Sequence, residues 1–394
     1  MTFFLLDIRY AFIGDTMKRI ILLSSLLLVL LLNVYKEPQI EAEEVRGVFV
    51  SYIELKENIK GYSTEQAKEN IKKIITNTKD MKLNTIILQV RYQSDAIYKS
   101  NLFPVSECIG EELPFDILKY FLDEAHNNNI NIYAWINPYR IKTTSDINSI
   151  NKDSPAYKYL DTDTIYINKG IYFNPAKDEV TDLIVDGVKE VLKYPVDGIL
   201  FDDYFYPSSD IDQKDYEEYL KTNKEIDLNT YHLQVINKMI EKVHRECQKK
   251  NIPFGISPDG NIENNYNKNF ADVKRWMRED KYIDFIMPQI YYGFYNSTKG
   301  YAKTIKEWDN LLKNDINLYI ALAFYKVGTI DEFALSGKEE WLHSNNVIMR
   351  EIILSRNLNH YNGFSLFRYD NIFNEENYTN NSLKEIENLK KIIE

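Results

Sequence analysis

Cysteine is nearly absent: Cys108 and Cys247 are the only thiols in 394 residues. Two cysteines so far apart build no disulfide framework, and neither stands in a Cys-x-x-Cys metal or redox spacing, so two free thiols are expected. A basic surplus is missing too. With 48 Lys and Arg against 59 Asp and Glu the net charge is −11, which argues against nucleic acid as the main partner, since phosphate binding needs a basic surface. No Gly-rich phosphate loop follows a strand-like run, so no nucleotide cofactor is expected, and no Gly-x-Ser-x-Gly elbow occurs. What remains is a globular balance of 44% apolar and 27% charged residues, which excludes disorder and a polytopic membrane protein. Aromatic surface comes from 30 Tyr and 19 Phe against four Trp, many rings that also carry hydroxyls suited to a polyol site.

Long apolar runs are confined to one place. Ile20–Leu32 reads IILLSSLLLVLLL directly after Lys18 and Arg19, the layout of an export signal. Thirteen residues at ~1.5 Å each reach roughly 20 Å, short of a ~30 Å hydrocarbon core. Residues 1–35 are therefore read as a signal peptide or signal anchor, with Met17 as its natural start and residues 1–16 as an over-extended reading frame. Ala42 is the one small side chain between Leu32 and Val45, so the cleavage motif is poor. Residues 36–43 read as a short linker. The body of the chain is expected outside the cytoplasm, secreted or membrane-anchored.

From residue 44 onward short apolar runs alternate with amphipathic helical stretches. The candidate strands are Val45–Tyr52, Asn84–Arg91, Ile130–Pro138, Val196–Tyr204, Pro253–Asp259, Ile283–Tyr292, Asn317–Tyr325 and Tyr361–Tyr369. Their near-continuous apolar character predicts burial on both faces and parallel pairing. Between them, Ser63 with Gln66 reads as a capping box ahead of Ala67, Ile71, Ile74 and Ile75. Val180, Leu183, Ile184, Val188, Val191 and Leu192 repeat that spacing. Further helices are expected over Tyr231–Lys249, Phe270–Asp280, Thr304–Lys313, Trp341–Arg356 and Ser382–Ile393. Eight strand–helix units predict a single (β/α)₈ TIM barrel over residues 44–394; a doubly wound open sheet is the alternative. Long connections follow strands (Tyr139–Lys177, Phe205–Asn229, Lys326–Glu340) and short ones follow helices, as expected for a site on the C-terminal rim.

The residues at the predicted strand ends are carboxylates, amides, Arg and aromatic rings, a lining suited to carbohydrate. All five His, at 126, 232, 244, 343 and 360, fall on helices or on the short-loop side. A His-based metal centre or Ser–His–Asp relay is therefore not expected, and no metal ligand set is assigned. Paired carboxylates remain. Asp202 and Asp203 end the fourth strand, and because successive strand side chains face opposite ways, only one of them points into the barrel. Asp95 and Glu54 complete the candidate acids, each with a structural alternative as a loop cap or solvated residue. Asp259 in SPDGN reads more readily as a turn former than as a pocket acid. Arg91, Arg140 and Arg368 are candidates to orient carboxylates or bind an acidic sugar, with a buried ion pair as the alternative. Trp135, Tyr204, Tyr206, Tyr291, Tyr292 and Tyr325 are candidate stacking or hydroxyl-donating residues, and Asn137 and Gln289 candidate amide contacts.

The segments RGVFVSYIEL, ILQVRYQSDAIYKS, YAWINPYR, VDGILFDDYFYP, GISPDGN, YIDFIMPQIYYGF and ALAFYKVG, in that order, resemble the glycosyl-hydrolase-like 10 family of bacterial envelope proteins. The resemblance runs from Glu44 to about Tyr369. It implies hydrolysis of glycosidic bonds, with peptidoglycan glycan strands as a suggested substrate, and a catalytic aspartate closing the fourth strand, which maps onto Asp202. Gln289 stands where related barrel glycosidases place a second carboxyl, so the acid is left open among Asp203, Asp95 and Glu54. The expectation is an exported glycoside hydrolase acting through two carboxylates without a cofactor. The alternative is a non-catalytic glycan-binding or wall-organising barrel.

Overall fold

The computed structural model describes residues 43–202, 205–223, 226–313 and 316–393. Residues 44–394 form one compact unit. The signal or anchor over residues 1–35 and all but the last residue of the 36–43 linker lie outside the described residues, as do Asp203 and Tyr204. Among the described residues no helix is long and apolar enough to cross a membrane.

Eight parallel strands close into a barrel. They are β1 (Val45–Val50), β2 (Thr85–Arg91), β3 (Asn131–Ile136), β7 (Gly198–Phe201), β8 (Phe254–Ile256), β9 (Phe285–Ile286), β10 (Asn317–Leu322) and β11 (Tyr361–Leu366), in the closed order β1-β11-β10-β9-β8-β7-β3-β2. All eight expected strands form. The long connection after β3, read from sequence as a loop, holds a small antiparallel sheet of its own: β4 (Arg140–Lys142), β5 (Ile165–Ile167) and β6 (Ile171–Phe173) in the order β4-β6-β5.

The helices are α1 (Tyr52–Ile59), α2 (Thr64–Asp80), α3 (Ile117–His126), α4 (Asp178–Val191), α5 (Gln213–Thr222), α6 (Leu228–Gln248) and α7 (Ile262–Asn267). They continue with α8 (Val273–Trp276), α9 (Tyr301–Leu311), α10 (Glu340–His343), α11 (Val347–Ser355), α12 (Tyr369–Phe373) and α13 (Asn380–Ile392). The long helix expected over Phe270–Asp280 is reduced to the single turn α8, and the one expected over Trp341–Arg356 is divided at residues 344–346 into α10 and α11. Ser63 caps α2 by accepting from the Gln66 N–H at 3.2 Å, but the Gln66 side chain bonds Asn70 instead of folding back. Complete capping boxes lie elsewhere, at Ser51 and Glu54 of α1 and at Thr379 and Ser382 of α13.

Two apolar layers hold the barrel. Outward-facing strand residues pack under the helices, and a separate inner cluster of Phe49, Ile87, Tyr133, Trp135, Leu200, Phe285, Met287, Tyr319 and Ala321 fills the lumen. The rings fit because a glycine stands opposite some of them. Tyr133 pairs in register with Gly198 and Phe285 with Gly255. A Cβ at Gly255 would lie 2.3 Å from the Phe285 ring. At the opposite end from the long loops, Asp197 accepts from the Ile132 N–H (2.7 Å) and meets His126 (2.9 Å). Asp284 repeats the device with the Phe254 N–H (2.8 Å) and His244 (3.2 Å). Two of the five histidines thus brace the barrel floor.

A cluster of carboxyls lies under the C-terminal helices. Glu351 on α11 is fully buried and neither of its carboxyl oxygens is hydrogen-bonded. Burial, then the neighbouring Glu385 and Glu340, push its pKa well above the ordinary range against the pull of Lys326 and Arg350. Burial also raises Glu385 on α13 to about 7, although its Oε1 accepts from the Met349 N–H at 2.8 Å. Raised folded-state pKa values mean that the native protein holds protons which the unfolded chain releases, so this cluster's contribution to stability falls as pH rises from below 5 through 7.

Two outcomes follow. Gly255→Val should destabilise the fold by about 1–3 kcal/mol, read as a lower urea midpoint at unchanged slope. Glu351→Gln should stabilise the chain at pH 8 and flatten the decline in stability between pH 5 and 8.

Candidate active site

A strand side chain that faces the lumen is followed two residues later by another on the same face. On seven of the eight strands, continuing past the inward-facing residue predicts what reaches the mouth; on β10 the count from Ala321 reaches Ala323, which does not line it. Phe49 leads to Ser51, Ile87 to Gln89, Trp135 to Asn137, Leu200 to Asp202, Gly255 to Ser257, Met287 to Gln289, and Ser365 to Phe367. All seven line one cavity of about 370 Å³ at the C-terminal mouth, together with Tyr52, Ile53, Arg140, Tyr291, Tyr325 and Arg368. That volume suits a small ligand or one part of a longer one.

Asp202 is the centre of its polar network. The residue is 3% exposed, and its Oδ2 accepts from Asn137 Nδ2 at 2.5 Å and Trp135 Nε1 at 3.2 Å. Asn137 is itself oriented by Gln89, whose Nε2 donates to Asn137 Oδ1 at 2.7 Å and whose Oε1 accepts from the Tyr52 N–H at 3.0 Å. Two donors converging on one oxygen suit a carboxylate that accepts and attacks, with its position fixed in advance. Trp135 also packs edge-on against Phe49, with ring centroids 5.4 Å apart, so it is part of the lumen core as well as the cavity wall. Tyr291, Tyr325 and Phe367 form an aromatic cluster on the far wall, with centroids 5.8 to 6.1 Å apart. Gln289 donates to the Ser257 carbonyl at 3.0 Å.

Several expected site residues are placed elsewhere. Glu54 is completely buried. Its Oε2 accepts from the Ser51 N–H (2.8 Å) and Ser51 Oγ (2.5 Å), and its Oε1 from Arg368 and the Asp370 N–H. It caps α1 and holds Arg368 from behind the wall, so no oxygen is left for a substrate. Arg91 is turned out of the lumen by a register shift between Gln89 and Arg91 in the β2–β3 ladder. Its guanidinium lies 3.8 Å from the Phe103 ring centroid, in a space that Gly187 on α4 leaves open. Asp259 forms a turn, accepting from the Asn261 N–H at 2.7 Å, and Tyr292 donates to it at 3.4 Å. Neither lines the cavity. Tyr206 is buried against His232 and Phe270 and donates to Asp212 at 2.8 Å. Asp95 opens into a different cavity. Of the expected residues, Trp135, Asn137, Arg140, Asp202, Gln289, Tyr291, Tyr325 and Arg368 line the cavity. Ser51, Tyr52, Gln89 and Ser257 were not anticipated, although the two-residue count from the lumen core would have found three of them.

The remaining histidines also pair with carboxylates away from this cavity: His232 with Asp212, His360 with Asp309, and His343 with Glu339. Among the described residues no group of His, Cys, Asp or Glu is arranged to hold a metal ion.

Residues 44–336 match the family described as Glycosyl hydrolase-like 10. Glycosyl hydrolase YngK of Bacillus subtilis (strain 168) is 31% identical over 328 residues, covering 76% of this chain but only 62% of that protein. Glycosyl hydrolase DigH of Escherichia coli (strain K12) is 32% identical over 325 residues, covering 73% of this chain and 72% of that protein. Among solved structures, the glycoside hydrolase domain of PgaB (BpsB) from Bordetella bronchiseptica shares the fold at a TM-score of 0.57 and 12% identity, covering 89% of this chain and 99% of that one.

The assignment of Glu54 to the wall makes a distinguishing prediction. Glu54→Gln should lower stability by about 1–3 kcal/mol, because it weakens a buried cap and leaves Arg368 a poorer partner. Thermal unfolding measures this. An acid in contact with substrate would instead show unchanged melting.

Proposed function

The chain belongs to the glycosyl hydrolase-like 10 family, and from that premise we propose that it is an exported glycoside hydrolase cleaving a cell-envelope polysaccharide, with peptidoglycan glycan strands as the substrate. The observation that carries this reading is Asp202, fixed at the barrel mouth by Asn137 and Trp135 within an aromatic and amide-lined cavity. Asp202 acts as nucleophile or base at the anomeric carbon, where an oxocarbenium-like transition state develops positive charge. The aromatic wall of Tyr291, Tyr325 and Phe367 offers ring faces to the sugar, while Arg140 and Arg368 supply hydrogen-bond donors to its oxygens. The proton for the leaving group comes from a second carboxyl, with Asp203 as the first candidate. A separation of about 5–5.5 Å between the two carboxyls gives retention and about 6.5–9.5 Å gives inversion.

A second reading, a glycan-binding protein without hydrolytic activity, is favoured by one observation. Asp202 is the sole carboxylate among the described residues that line the cavity.

One experiment separates the two. Intact and peptide-stripped glycan strands are incubated with the purified protein and the products identified by mass spectrometry. Asp202→Asn should lower the rate of chain cleavage by about a thousandfold or more while strand binding persists. Polymer left unchanged by the parent protein as well as the variant would support the binding reading.

A further inference from the structure

The main cavity continues past its own wall. Tyr52 and Ile53 line it, and the same two residues begin an open groove of about 610 Å³ that runs past Lys56, Glu57 and Lys60 to Tyr62. The two spaces thus share a border of two side chains and form one cleft. Helical spacing explains the lining. Tyr52 and Lys56 are four residues apart on α1, Lys60 extends the row at the helix end, and Ile53 and Glu57 lie beside it, so one stripe faces the groove. Glu54, Leu55 and Ile59 are buried on the other side. The eight residues of α1 span about 12 Å, room for further units of a chain that enters the main cavity.

Two properties set this groove apart. It has an aromatic ring at each end. The half-buried Tyr52 ring stacks on Tyr92, with centroids 4.3 Å and planes 10° apart, which fixes its position, while Tyr62 is 50% exposed. Ring surface of this kind, with a hydroxyl at its edge, suits the mixed apolar and polar faces of a sugar. The groove is also cationic, in a chain whose net charge is −11. Lys56 is exposed, and among the described residues it has neither a hydrogen bond nor an ion pair. Lys60 donates to a neutral acceptor, the Glu107 carbonyl, at 2.8 Å. Glu57 is the one carboxylate among the described lining residues, and it lies against Asp370 on α12, which burial and then this neighbour raise to about 6. A dense polyanion is disfavoured by the net charge of the chain, and a neutral sugar leaves the Lys56 ammonium unused. A glycan with a single carboxylate on one unit uses both the rings and the charge.

We propose that the groove along α1 is a subsite for an acidic sugar unit, its ring resting on Tyr52 and Tyr62 and its carboxylate bound by Lys56, while adjoining units of the same strand occupy the main cavity. The assignment rests on the glycan reading of the main cavity and adds to it the class of strand, one that carries carboxylates. That carboxylate can belong to a lactyl ether or to a uronic acid ring, and the choice of probes separates the two.

The test is calorimetric titration of the full chain carrying Asp202→Asn, with three series of oligomers of two to six units as probes. N-acetylglucosamine oligomers are neutral, those alternating with N-acetylmuramic acid carry a lactyl carboxylate, and those alternating with glucuronic acid carry a ring carboxylate. One acidic series should bind about fivefold more tightly than the neutral one from four units upward and lose that advantage at about 1 M salt; which series does so identifies the source. Adding Lys56→Gln should remove the advantage and leave the neutral series within about twofold, whereas Lys56→Arg should keep most of it. Tyr62→Ala should weaken the longer acidic oligomers about fivefold and spare the disaccharides. Both side chains are exposed, so the variants should melt with the parent. Acidic and neutral series that bind alike, equal losses in both with Lys56→Gln, or unchanged affinities with Tyr62→Ala would overturn the acidic subsite and leave the main cavity's role intact. A parent that binds no member of any series would overturn the glycan reading and the subsite together.

Discussion

Closure of the barrel at the seam between β1 and β11 is the constraint on which the rest depends. The two strands pair from Val45↔Gly363 to Val48↔Leu366, joining ends separated by more than 300 residues. Only with that ladder made do Ser51 and Tyr52 on one side and Phe367 and Arg368 on the other share a cavity with Asp202. The close approach needs glycine at position 363, where φ is +155° and a Cβ would lie 2.2 Å from the Val45 carbonyl oxygen. Just outside the ladder, Glu44 takes two bonds from Arg356 and one from the Tyr361 hydroxyl, at 2.6 to 2.8 Å. These charges are partly exposed, so their contribution is modest. Loop closure costs only the logarithm of loop length, and the backbone ladder with the lumen rings offsets most of it.

Within the closed barrel, position along a strand decides what a residue can be. Floor residues such as Asp197 and Asp284 satisfy backbone N–H groups and histidines, middle residues fill the lumen, and the next inward residue reaches the mouth. This order was legible in the sequence to a large extent. The eight apolar runs and the asymmetry of loop lengths identify the architecture, strand parity admits only one of Asp202 and Asp203 to the mouth, and the family resemblance points to Asp202, which lines the cavity. The same count of two places Ser51, Gln89 and Ser257 at the mouth, a step that hydrophobic patterning alone does not suggest, because these residues look like polar interruptions in apolar runs.

What escaped the sequence has local causes. Parity fails for Arg91 because the β2–β3 register slips by one residue just before it, and an irregularity of one residue sends a side chain to the opposite face. Glu54 follows Ser51 by three residues, which is a capping-box spacing; Ser63 and Gln66 show the same spacing, but there only half of the box forms. The turn favoured for Asp259 in SPDGN does form, its carboxyl accepting from the Asn261 N–H. Tyr206 is drawn inward by Asp212, six residues on, and by His232 and Phe270, the last two far along the chain and not to be inferred from local pattern. For Glu54 and Tyr206 a chemically suitable residue is claimed by a nearer bonding partner.

The first turn of α1 links the two charged sides of the cavity. Its Tyr52 N–H, one of the donors that a helix start leaves without an intrahelical acceptor, bonds Gln89, which orients Asn137, which holds Asp202. Its Glu54, two residues later, anchors Arg368 on the opposite wall. One turn of helix therefore fixes a negative group and a positive group at set positions across the same opening. Each is braced by a chain of hydrogen bonds in which Gln89, Asn137 and Glu54 are all buried, where such bonds are stronger than in water. A carboxylate held in this way does not have to reorganise when positive charge develops beside it, and that is the condition under which electrostatic stabilisation lowers a barrier. A single helix cap near the barrel seam therefore matters to chemistry on the far strand: loosening it releases Asp202 and Arg368 together.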